Sequence, residues 1–252
     1  MFSPISKILV SLLLMLLILK SVLFLKNKNT EEKLIVIENP DILHHIVNLK
    51  KQNLNFYWKD ANDVNFKNFG NLKKTVNTNQ EKLIFAMNGG MYKKDLSPQG
   101  LFIENGVIKT KIDTLQKSYG NFYMQPNGVF YITNNKKGTI CKTTHFKNHN
   151  IKFATQSGPL LLIDGEIHSK FKIGSKNLNI RNGVGILPNN NMIFAMSKQK
   201  INFYDFATYF KNLGCKNALY LDGFVSKTYL PEKNWHSLNG NFGVIIAETK
   251  KE

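Results

Sequence analysis

An aspartate at the end of an apolar run is the first feature of this sequence that suggests chemistry. Asp222 closes the segment ALYLD and is followed by Gly223, a pattern that predicts a carboxylate at the end of a buried strand. A strand holds such a side chain rigidly, and the glycine permits a sharp turn or the close approach of a ligand. The alternative is an ordinary Asp-Gly turn that serves only the fold.

Four further segments combine an apolar run with small polar residues. They are FAMNGGMY at 85–92, with Asn88, Gly89 and Gly90; NFYMQPNGVFYI at 121–132, with Asn127; SGPLLLIDGEIH at 157–168, with Ser157, Gly158 and His168; and RNGVGI at 181–186. Each segment is typical of a strand beside a turn. Their coincidence with the segment of Asp222 favours a site assembled where strands end.

The only arginine of the chain, Arg181, begins the last of these segments, and every other Lys/Arg position holds lysine. An arginine kept where lysine fills every other such position indicates a need for a planar donor of two parallel hydrogen bonds. Phosphate and carboxylate groups accept such a pair. We therefore expect Arg181 to contact an anionic group of a substrate.

The motifs NGGMY, SGPLLLIDGEIH, RNGVGI and ALYLDGFVS, in this order, resemble the phosphodiester glycosidases, and the resemblance extends from about Lys33 to the C-terminus. This family includes the lysosomal uncovering enzyme, which removes N-acetylglucosamine from mannose phosphodiesters. The resemblance implies roles that are listed here in chain order: an active-site loop at Asn88, Gly89 and Gly90, a pocket wall at Gly158, a substrate-contacting cation at Arg181, and the catalytic-site acid with its turn at Asp222 and Gly223.

The sequence departs from the uncovering-enzyme pattern after Gly223. Phe224 and Val225 stand there in place of two glycines before Ser226, a change that bears on sugar preference. The forms LDGFVS and NFYMQPNGVFYI are closer to a bacterial branch associated with exopolysaccharide biosynthesis. The resemblance implies a hydrolase that cleaves an N-acetylglucosamine phosphodiester-like linkage in envelope or extracellular glycan. The alternative is a non-catalytic protein that binds glycan or phosphoglycan during exopolysaccharide assembly.

Cleavage of a sugar from phosphate develops positive charge on the sugar and negative charge on the departing phosphate. The catalytic candidates are therefore Asp222, Arg181 and Asn88, with backbone donors of the loop at 88–90. The substrate-binding candidates are Gly89, Gly90, Asn127, Ser157, Gly158, His168, Gly223 and Ser226. His168 could instead lie at the surface. Glu104 and Asp164 are both candidates for a second catalytic carboxylate, and each also suits a hairpin turn. His145 and His149 have an i, i+4 spacing but lie in a lysine- and asparagine-rich loop without a nearby acid, so we predict neither a metal site nor a cofactor.

Glycine and asparagine separate short β-branched and aromatic runs, which predicts many short strands and few helices. We expect an α+β fold, a single domain with a mixed, mostly antiparallel sheet core and a few packed helices, preceded by an N-terminal apolar helix. One helix is predicted over 202–213, capped by Asn202 and closed by Gly214. We expect its aromatic stripe, which includes Phe203, to pack in the core and to hold the strand that ends at Asp222.

The N-terminal residues predict a targeting segment. A basic lead and an apolar run over 8–25 indicate a signal anchor or signal peptide at 1–26 and a linker at 27–33, before a glycosidase-like domain at 34–252. The run approaches the ~20 apolar residues that span a bilayer, and no Ala-x-Ala-like cleavage site follows it. We expect an extracytoplasmic domain anchored to the membrane, with cleavage and secretion as the alternative.

The formal net charge of +17 raises the question of a nucleic-acid partner. Single lysines are scattered among asparagines, without an arginine-rich helix or a nucleic-acid-binding motif, so we predict no nucleic-acid partner. A cationic surface would instead attract a phosphodiester substrate or polysaccharide and anionic lipid. The sequence leaves open the oligomeric state and the pairing of Cys141 with Cys215.

Overall fold

Short strands dominate the chain, as the spacing of glycine and asparagine predicts. The computed structural model describes residues 39–222 and 225–252, with Asp222 described by its backbone alone. Within these residues the strands are β1 (Ile42–Val47), β2 (Asn53–Tyr57), β3 (Glu81–Asn88), β4 (Phe102–Glu104), β5 (Val107–Thr110), β6 (Gly128–Thr133), β7 (Gly138–Lys142), β8 (Ile151–Ser157), β9 (Leu160–Ile163), β10 (Glu166–Ile167), β11 (Asn182–Ile186), β12 (Met192–Ser197), β13 (Ala218–Asp222), β14 (Thr228–Leu230), β15 (Trp235–His236) and β16 (Ile245–Lys251). The helices of the same residues are α1 (Phe69–Thr78) and α2 (Phe203–Asn212), with short 3-10 turns at Asn121–Tyr123, Thr143–His145 and Pro231–Lys233.

The strands form three sheets. The first has the order β1-β12-β11-β13-β9-β10, the second β15-β14-β3-β16-β2, and the third β5-β4-β8-β6-β7. Every pairing between these described strands is antiparallel. The mostly antiparallel α+β fold is therefore confirmed. The parallel pairs of a mixed sheet are absent from the described strands, and most connections are too short for the crossover that a parallel pair requires.

One hydrophobic core joins the three sheets, and Phe194 of the first sheet lies at their junction. Its ring is 5.3 Å from the ring of Phe85 in the second sheet and 5.9 Å from the ring of Phe130 in the third. All three side chains are fully buried. Aromatic pairs at these distances contribute about 1 kcal/mol each beyond the burial of their area. The sheets therefore share a single packed interior whose edges carry the strand ends described below.

Helix α2 packs on the outer face of the first sheet through a glycine of the RNGVGI segment. A Cβ atom at Gly185 would lie 2.6 Å from Cδ1 of Phe210, so only glycine permits the helix to approach β11 this closely. The N-cap Asn202 accepts a hydrogen bond from the Asp205 N–H at 2.9 Å. Gly214 follows the helix with a φ of +76°. The predicted helix and both of its caps are confirmed.

His45 of β1 links the first sheet to the second through buried polar contacts. Its Nε2 atom lies 2.7 Å from Oε2 of Glu248 on β16, and Gln52 donates to the same oxygen at 2.8 Å. Its Nδ1 atom lies 3.3 Å from Oε1 of Glu232, a residue with an exposed side chain. The ring stacks on Phe85 at 4.6 Å. The buried contact with Glu248 ties two sheets together, whereas the contact with Glu232 is open to water.

Replacement of Glu248 by alanine should lower the free energy of unfolding by about 3 kcal/mol, because it removes the acceptor of Nε2 in the buried His45 and of the half-buried Gln52 amide. Replacement of Glu232 by alanine is the matched control and should cost less than about 1 kcal/mol, since the pair is solvated. Urea unfolding of both variants at neutral pH measures the difference. Equal losses would show that the buried contact contributes no more than the exposed one.

The predicted signal segment at 1–26 and the linker at 27–33 lie outside the described residues, and so does the N-terminal apolar helix. These boundaries stay predictions. In the described part of the chain, no helix has the length and apolar character needed to cross a bilayer.

Candidate active site

Three strand ends from two sheets meet at Asn182. This residue begins β11 and pairs in register with Asp222 at the end of β13. Its Nδ2 atom donates to Oδ1 of Asn88, at 2.9 Å, and to the Asn88 carbonyl oxygen, at 3.0 Å, at the end of β3. The Asn88 Oδ1 atom also accepts from the Lys227 N–H at 2.8 Å. The predicted residues Asn88 and Asp222 are thus brought together by Asn182, a residue to which the sequence assigned no role.

The opposite side of β13 is anchored by the segment SGP. The Ser157 hydroxyl, at the end of β8 in the third sheet, donates to the carbonyl oxygen of Leu221 at 2.7 Å. The Tyr220 N–H donates to the carbonyl oxygen of Pro159 at 3.2 Å. The backbone immediately before Asp222 is therefore held from both sides, and all three sheets contribute to its position. Because the Ser157 hydroxyl donates to the protein, its part in binding substrate stays a prediction.

Gly89 and Gly90 allow the loop after β3 to pack closely on neighbouring strands. A Cβ atom at Gly89 would lie 2.4 Å from Cγ1 of Ile246, and one at Gly90 would lie 2.4 Å from Oγ1 of Thr155. The Gly89 N–H donates to the carbonyl oxygen of Val244 at 2.9 Å. This N–H is therefore engaged within the protein, and the glycines act here first as packing residues.

Asn127, Gly158 and His168 form a second group beside β13. A Cβ atom at Gly158 would lie 2.7 Å from Cβ of Asn127, so glycine is required there as well. The Nε2 atom of His168 lies 3.1 Å from the Gln125 carbonyl oxygen, and its Nδ1 atom accepts from the Lys170 N–H at 3.2 Å. This pair of contacts fixes the neutral tautomer with its proton on Nε2. His168 is buried, so the alternative of a surface histidine is wrong.

Arg181 is fully buried, and its guanidinium binds three separate segments of the chain. Its Nε atom donates to the Ile201 carbonyl oxygen at 2.8 Å, Nη1 to the Tyr220 hydroxyl at 3.2 Å, and Nη2 to the Asn177 carbonyl oxygen at 2.9 Å. Burial lowers the pKa of Arg181, and Tyr220 opposes the shift. The group nonetheless stays charged at neutral pH.

The positive charge of Arg181 lacks a carboxylate partner among the side chains that the structure describes. A buried charge costs several kcal/mol unless hydrogen bonds or an opposite charge compensate it. Neutral acceptors on Ile201, Tyr220 and Asn177 engage all three guanidinium nitrogens but add no negative charge. Among the described residues, the charge is therefore compensated by hydrogen-bond acceptors and by the face of the Phe203 ring.

A stack of four planar groups joins Arg181 to His168. The Phe203 ring lies 3.6 Å from Cζ of Arg181, and the Phe171 ring lies 4.8 Å from that of Phe203 at an interplanar angle of 6°. His168 stacks on the other face of Phe171 at 4.8 Å. Contact with the face of an aromatic ring stabilises a buried guanidinium by about 2 kcal/mol. Phe203 lies in the core, as predicted, and it also orients the arginine, which the helical pattern did not indicate.

The remaining predicted residues have mixed positions. The Ser226 hydroxyl donates to the Ile180 carbonyl oxygen at 3.1 Å, next to Arg181 along the chain. Gly223 lies outside the described residues, and the role of the Asp222 side chain stays a prediction. Asp164 occupies the hairpin between β9 and β10 with a φ of 52°, and Glu104 ends β4 beside the turn into β5. Both of these carboxylates therefore have the positions expected of turn residues.

The two cysteines are free thiols. Burial raises the pKa of Cys141 to about 11 and that of Cys215 to about 12. The thiolate is the nucleophilic form, so neither cysteine is suited to nucleophilic catalysis near neutral pH. Over residues 39–222 and 225–252, no group of three or more His, Cys, Asp or Glu side chains has an arrangement that could hold a metal ion.

Comparison with known proteins places this geometry in a family. A profile of the phosphodiester glycosidases matches residues 81–245, a span that contains Asn88, Arg181 and Asp222. The chain belongs to the phosphodiester glycosidase family. The uncharacterized protein YigE of Escherichia coli (strain K12) is 38% identical over 187 residues, which cover 74% of this chain and 73% of YigE.

Solved structures show the same fold. The catalytic domain of zebrafish N-acetylglucosamine-1-phosphodiester alpha-N-acetylglucosaminidase, auto-inhibited by its pro-peptide, matches with a TM-score of 0.55 and 13% identity, over 83% of this chain and 84% of the zebrafish chain. A protein of Burkholderia pseudomallei K96243 matches with a TM-score of 0.54 and 8% identity, over 82% of this chain and 73% of its own. The family and the fold are therefore shown, and the glycosidase motifs lie on the strand ends described above.

The buried His168 predicts a pH-dependent contribution to stability. Its pKa is lowered, chiefly by burial, so the unfolded chain binds a proton more readily than the folded protein. Stability from the neutral ring is present above the unfolded pKa of about 6.5 and is lost as the pH falls towards the folded value. The unfolding free energy of the wild type minus that of His168→Gln should shrink by up to about 1.4 kcal/mol per pH unit below pH 6.5. A difference that stays constant from pH 8 to pH 5 would contradict the assignment.

Proposed function

We propose that this chain hydrolyses the glycosidic bond of a sugar phosphodiester. Water adds to the anomeric carbon, the bond between that carbon and the phosphate oxygen breaks, and the products are a reducing sugar and a phosphate monoester. Membership of the phosphodiester glycosidase family supports this reaction class. The observation that carries it is the buried charge of Arg181, which donates a hydrogen bond to Tyr220 on the strand that ends at Asp222.

Asp222 would supply the negative charge at the anomeric carbon. The transition state of glycoside cleavage resembles an oxocarbenium ion, so a carboxylate there stabilises the sugar, attacks it or activates water. The backbone of Asp222 is suited to this task because Asn182 pairs with it and Ser157 fixes the preceding carbonyl group. A carboxylate on a loop without such anchoring would be positioned less precisely.

Arg181 would supply the positive charge that offsets the departing phosphate. A fixed charge in a water-poor site stabilises developing negative charge without reorganisation at the moment of reaction. Its three protein acceptors and the ring of Phe203 hold the guanidinium in one orientation. A phosphate monoester is already a fair leaving group, so charge stabilisation can replace a strong general acid.

We further propose that the sugar resembles N-acetylglucosamine and that the linkage belongs to envelope or extracellular glycan. The name of the zebrafish relative specifies an N-acetylglucosamine-1-phosphodiester, and the net charge of +17 favours an anionic substrate. Phe224 and Val225 replace the two glycines of the uncovering-enzyme pattern, so the sugar or the group beyond the phosphate differs from the zebrafish substrate.

A panel of sugar-phosphate diesters tests the reaction and the role of Asp222. The purified protein should release phosphate monoester, and Asp222→Asn should reduce turnover at least about a hundredfold with little change in melting temperature. Asp164→Asn is the matched control, because it alters the other Asp-Gly turn and should retain activity. Binding without turnover across the panel would instead favour the non-catalytic glycan-binding alternative. Equal losses of folding and activity in Asp222→Asn would make Asp222 a turn residue.

Arg181→Lys tests whether the fixed position of the charge matters, because lysine keeps the charge but cannot bond the acceptors on Asn177, Ile201 and Tyr220 together. We expect a loss of about 2–3 kcal/mol in transition-state stabilisation for a diester, because the displaced charge no longer offsets the departing phosphate from a fixed position. Hydrolysis of an uncharged aryl glycoside, if it is accepted, should change little. Both rates are measured on one preparation, so their ratio does not depend on the fraction of the protein that is folded. An unchanged ratio would make Arg181 a structural or sugar-binding residue and remove its role at phosphate.

A further inference from the structure

The hydroxyl group of Thr228 is buried without a hydrogen-bond partner in the described part of the chain. Thr228 begins β14 and is 1% exposed. One other buried side-chain atom of the described residues shares this condition, Oδ1 of Asn65 on the loop between β2 and α1. A buried hydroxyl that forms no hydrogen bond destabilises the fold, so its retention in a native protein calls for a functional explanation.

The Thr228 side chain projects from the face of the second sheet that meets the shared core. Thr228 pairs with Met87 on β3, and Leu230 lies two positions further along β14. Met87 and Leu230 both belong to the core that joins the three sheets, whereas Tyr229 packs in the cluster covered by α1. Cross-strand partners and alternate residues of a strand project from the same face. The Thr228 hydroxyl therefore points into the interior between the sheets.

Thr228 adjoins the candidate active site. The N–H of Lys227, the residue before it, donates to Oδ1 of Asn88 at 2.8 Å. Asn88 donates its own N–H to the Lys227 carbonyl oxygen at 3.4 Å. The Ser226 hydroxyl donates to the Ile180 carbonyl oxygen at 3.1 Å, directly before the buried arginine of the site. The start of β14 is therefore bonded to the end of β3 and to the residues that lead into β11.

Asn182 enters the same interior space from the first sheet. Val184, two positions along β11, belongs to the shared core, so Asn182 projects from the core face of its own strand. Its Nδ2 atom reaches Asn88 on the second sheet at 2.9 Å. The amides of Asn88 and Asn182 and the hydroxyl of Thr228 are uncharged. Neutral polar groups at this end of the core suit a neutral polar part of a ligand.

We propose that Thr228 is a substrate-binding residue whose hydroxyl group bonds a hydroxyl group of the substrate's sugar. The proposal rests on the proposed function and names a residue that holds the sugar rather than the phosphate. A threonine hydroxyl and a sugar hydroxyl are matched, because each both donates and accepts a hydrogen bond. A site built to bond a substrate hydroxyl group discriminates against an analogue that lacks it, because the protein group is then left unpaired. Thr228 therefore contributes to sugar specificity.

Thr228→Val separates ligand binding from folding, because valine keeps the branched shape and removes the hydroxyl. The melting temperature should rise by about 2–4 °C, since an unpaired buried hydroxyl is lost. Affinity for a free sugar, chosen as the tightest ligand of the wild type in a calorimetric panel of hexoses and N-acetylhexosamines, should fall about tenfold. Thr228→Ser retains the hydroxyl and should bind that sugar within about threefold of wild type, at a lower melting temperature.

Thr249→Val is the matched control on the same sheet. Thr249 is buried on β16 and pairs with Leu83, near the end of β3 that lies away from Asn88. Its hydroxyl bonds the Tyr57 side chain. The control should therefore lose stability and keep the wild-type affinity for the sugar. A gain of stability in Thr249→Val equal to that in Thr228→Val would show that the orphaned hydroxyl is not the cause, and would overturn the proposal.

Monodeoxy analogues of the bound sugar identify the contact itself. One deoxy position should weaken binding to the wild type about tenfold, and Thr228→Val should bind that analogue and the parent sugar equally. The same discrimination in both proteins would overturn the proposal, as would a wild type that binds no sugar of the panel. Thr228-dependent sugar binding in a protein that hydrolyses no diester would support the sugar contact and remove the proposed hydrolysis. Hydrolysis with affinity and kcat/KM unaltered in Thr228→Val would keep the reaction and overturn the contact.

Discussion

The burial of the Arg181 charge is the constraint on which the arrangement around β13 depends. A guanidinium removed from water must find acceptors, and it finds them on Asn177, Ile201 and Tyr220, in three different parts of the chain. The ring of Phe203 covers one face. These contacts fix α2 and the segment before β11 against β13. These hydrogen bonds and the ring contact compensate a charge that would otherwise cost several kcal/mol to bury.

The strand that ends at Asp222 is positioned by all three sheets. Asn182 ties it to β3 of the second sheet through Asn88, and Ser157 ties it to β8 of the third. Each of these bonds is buried, and a buried polar group that loses its partner costs about 1–3 kcal/mol. The backbone before the aspartate is therefore held at the junction of the sheets.

The sequence predicted the outline of this arrangement but not its connections. Alternation of strand and turn signals gave the mostly antiparallel fold, and Asn202 and Gly214 gave both ends of α2, because these signals are local. The sequence assigned no role to Asn182, which follows Arg181 directly, or to Tyr220, which lies two residues before Asp222. Their roles arise from partners about 40 to 95 positions away, which no spacing within a motif reports.

The aromatic residues show the same limit. The helical pattern correctly predicted that Phe203 packs in the core, yet its contact with Arg181 depends on how α2 lies against the sheet. Phe171 had no pattern at all, because it lies in a loop and gains its role by stacking between His168 and Phe203. For the same reason, the sequence left open whether His168 lies in a pocket or at the surface. Local sequence specifies elements and turns, whereas tertiary packing decides which side chains meet.

The bond that breaks is the central claim of this account, and hydrolysis in water labelled with oxygen-18 tests it most directly. If the anomeric carbon is attacked, the label should appear on C1 of the released sugar, and the phosphate monoester should contain none of it. Mass spectrometry of both products gives the result in one experiment. Label on the phosphate would show attack at phosphorus and would contradict the glycosidase chemistry assigned to Asp222 and Arg181.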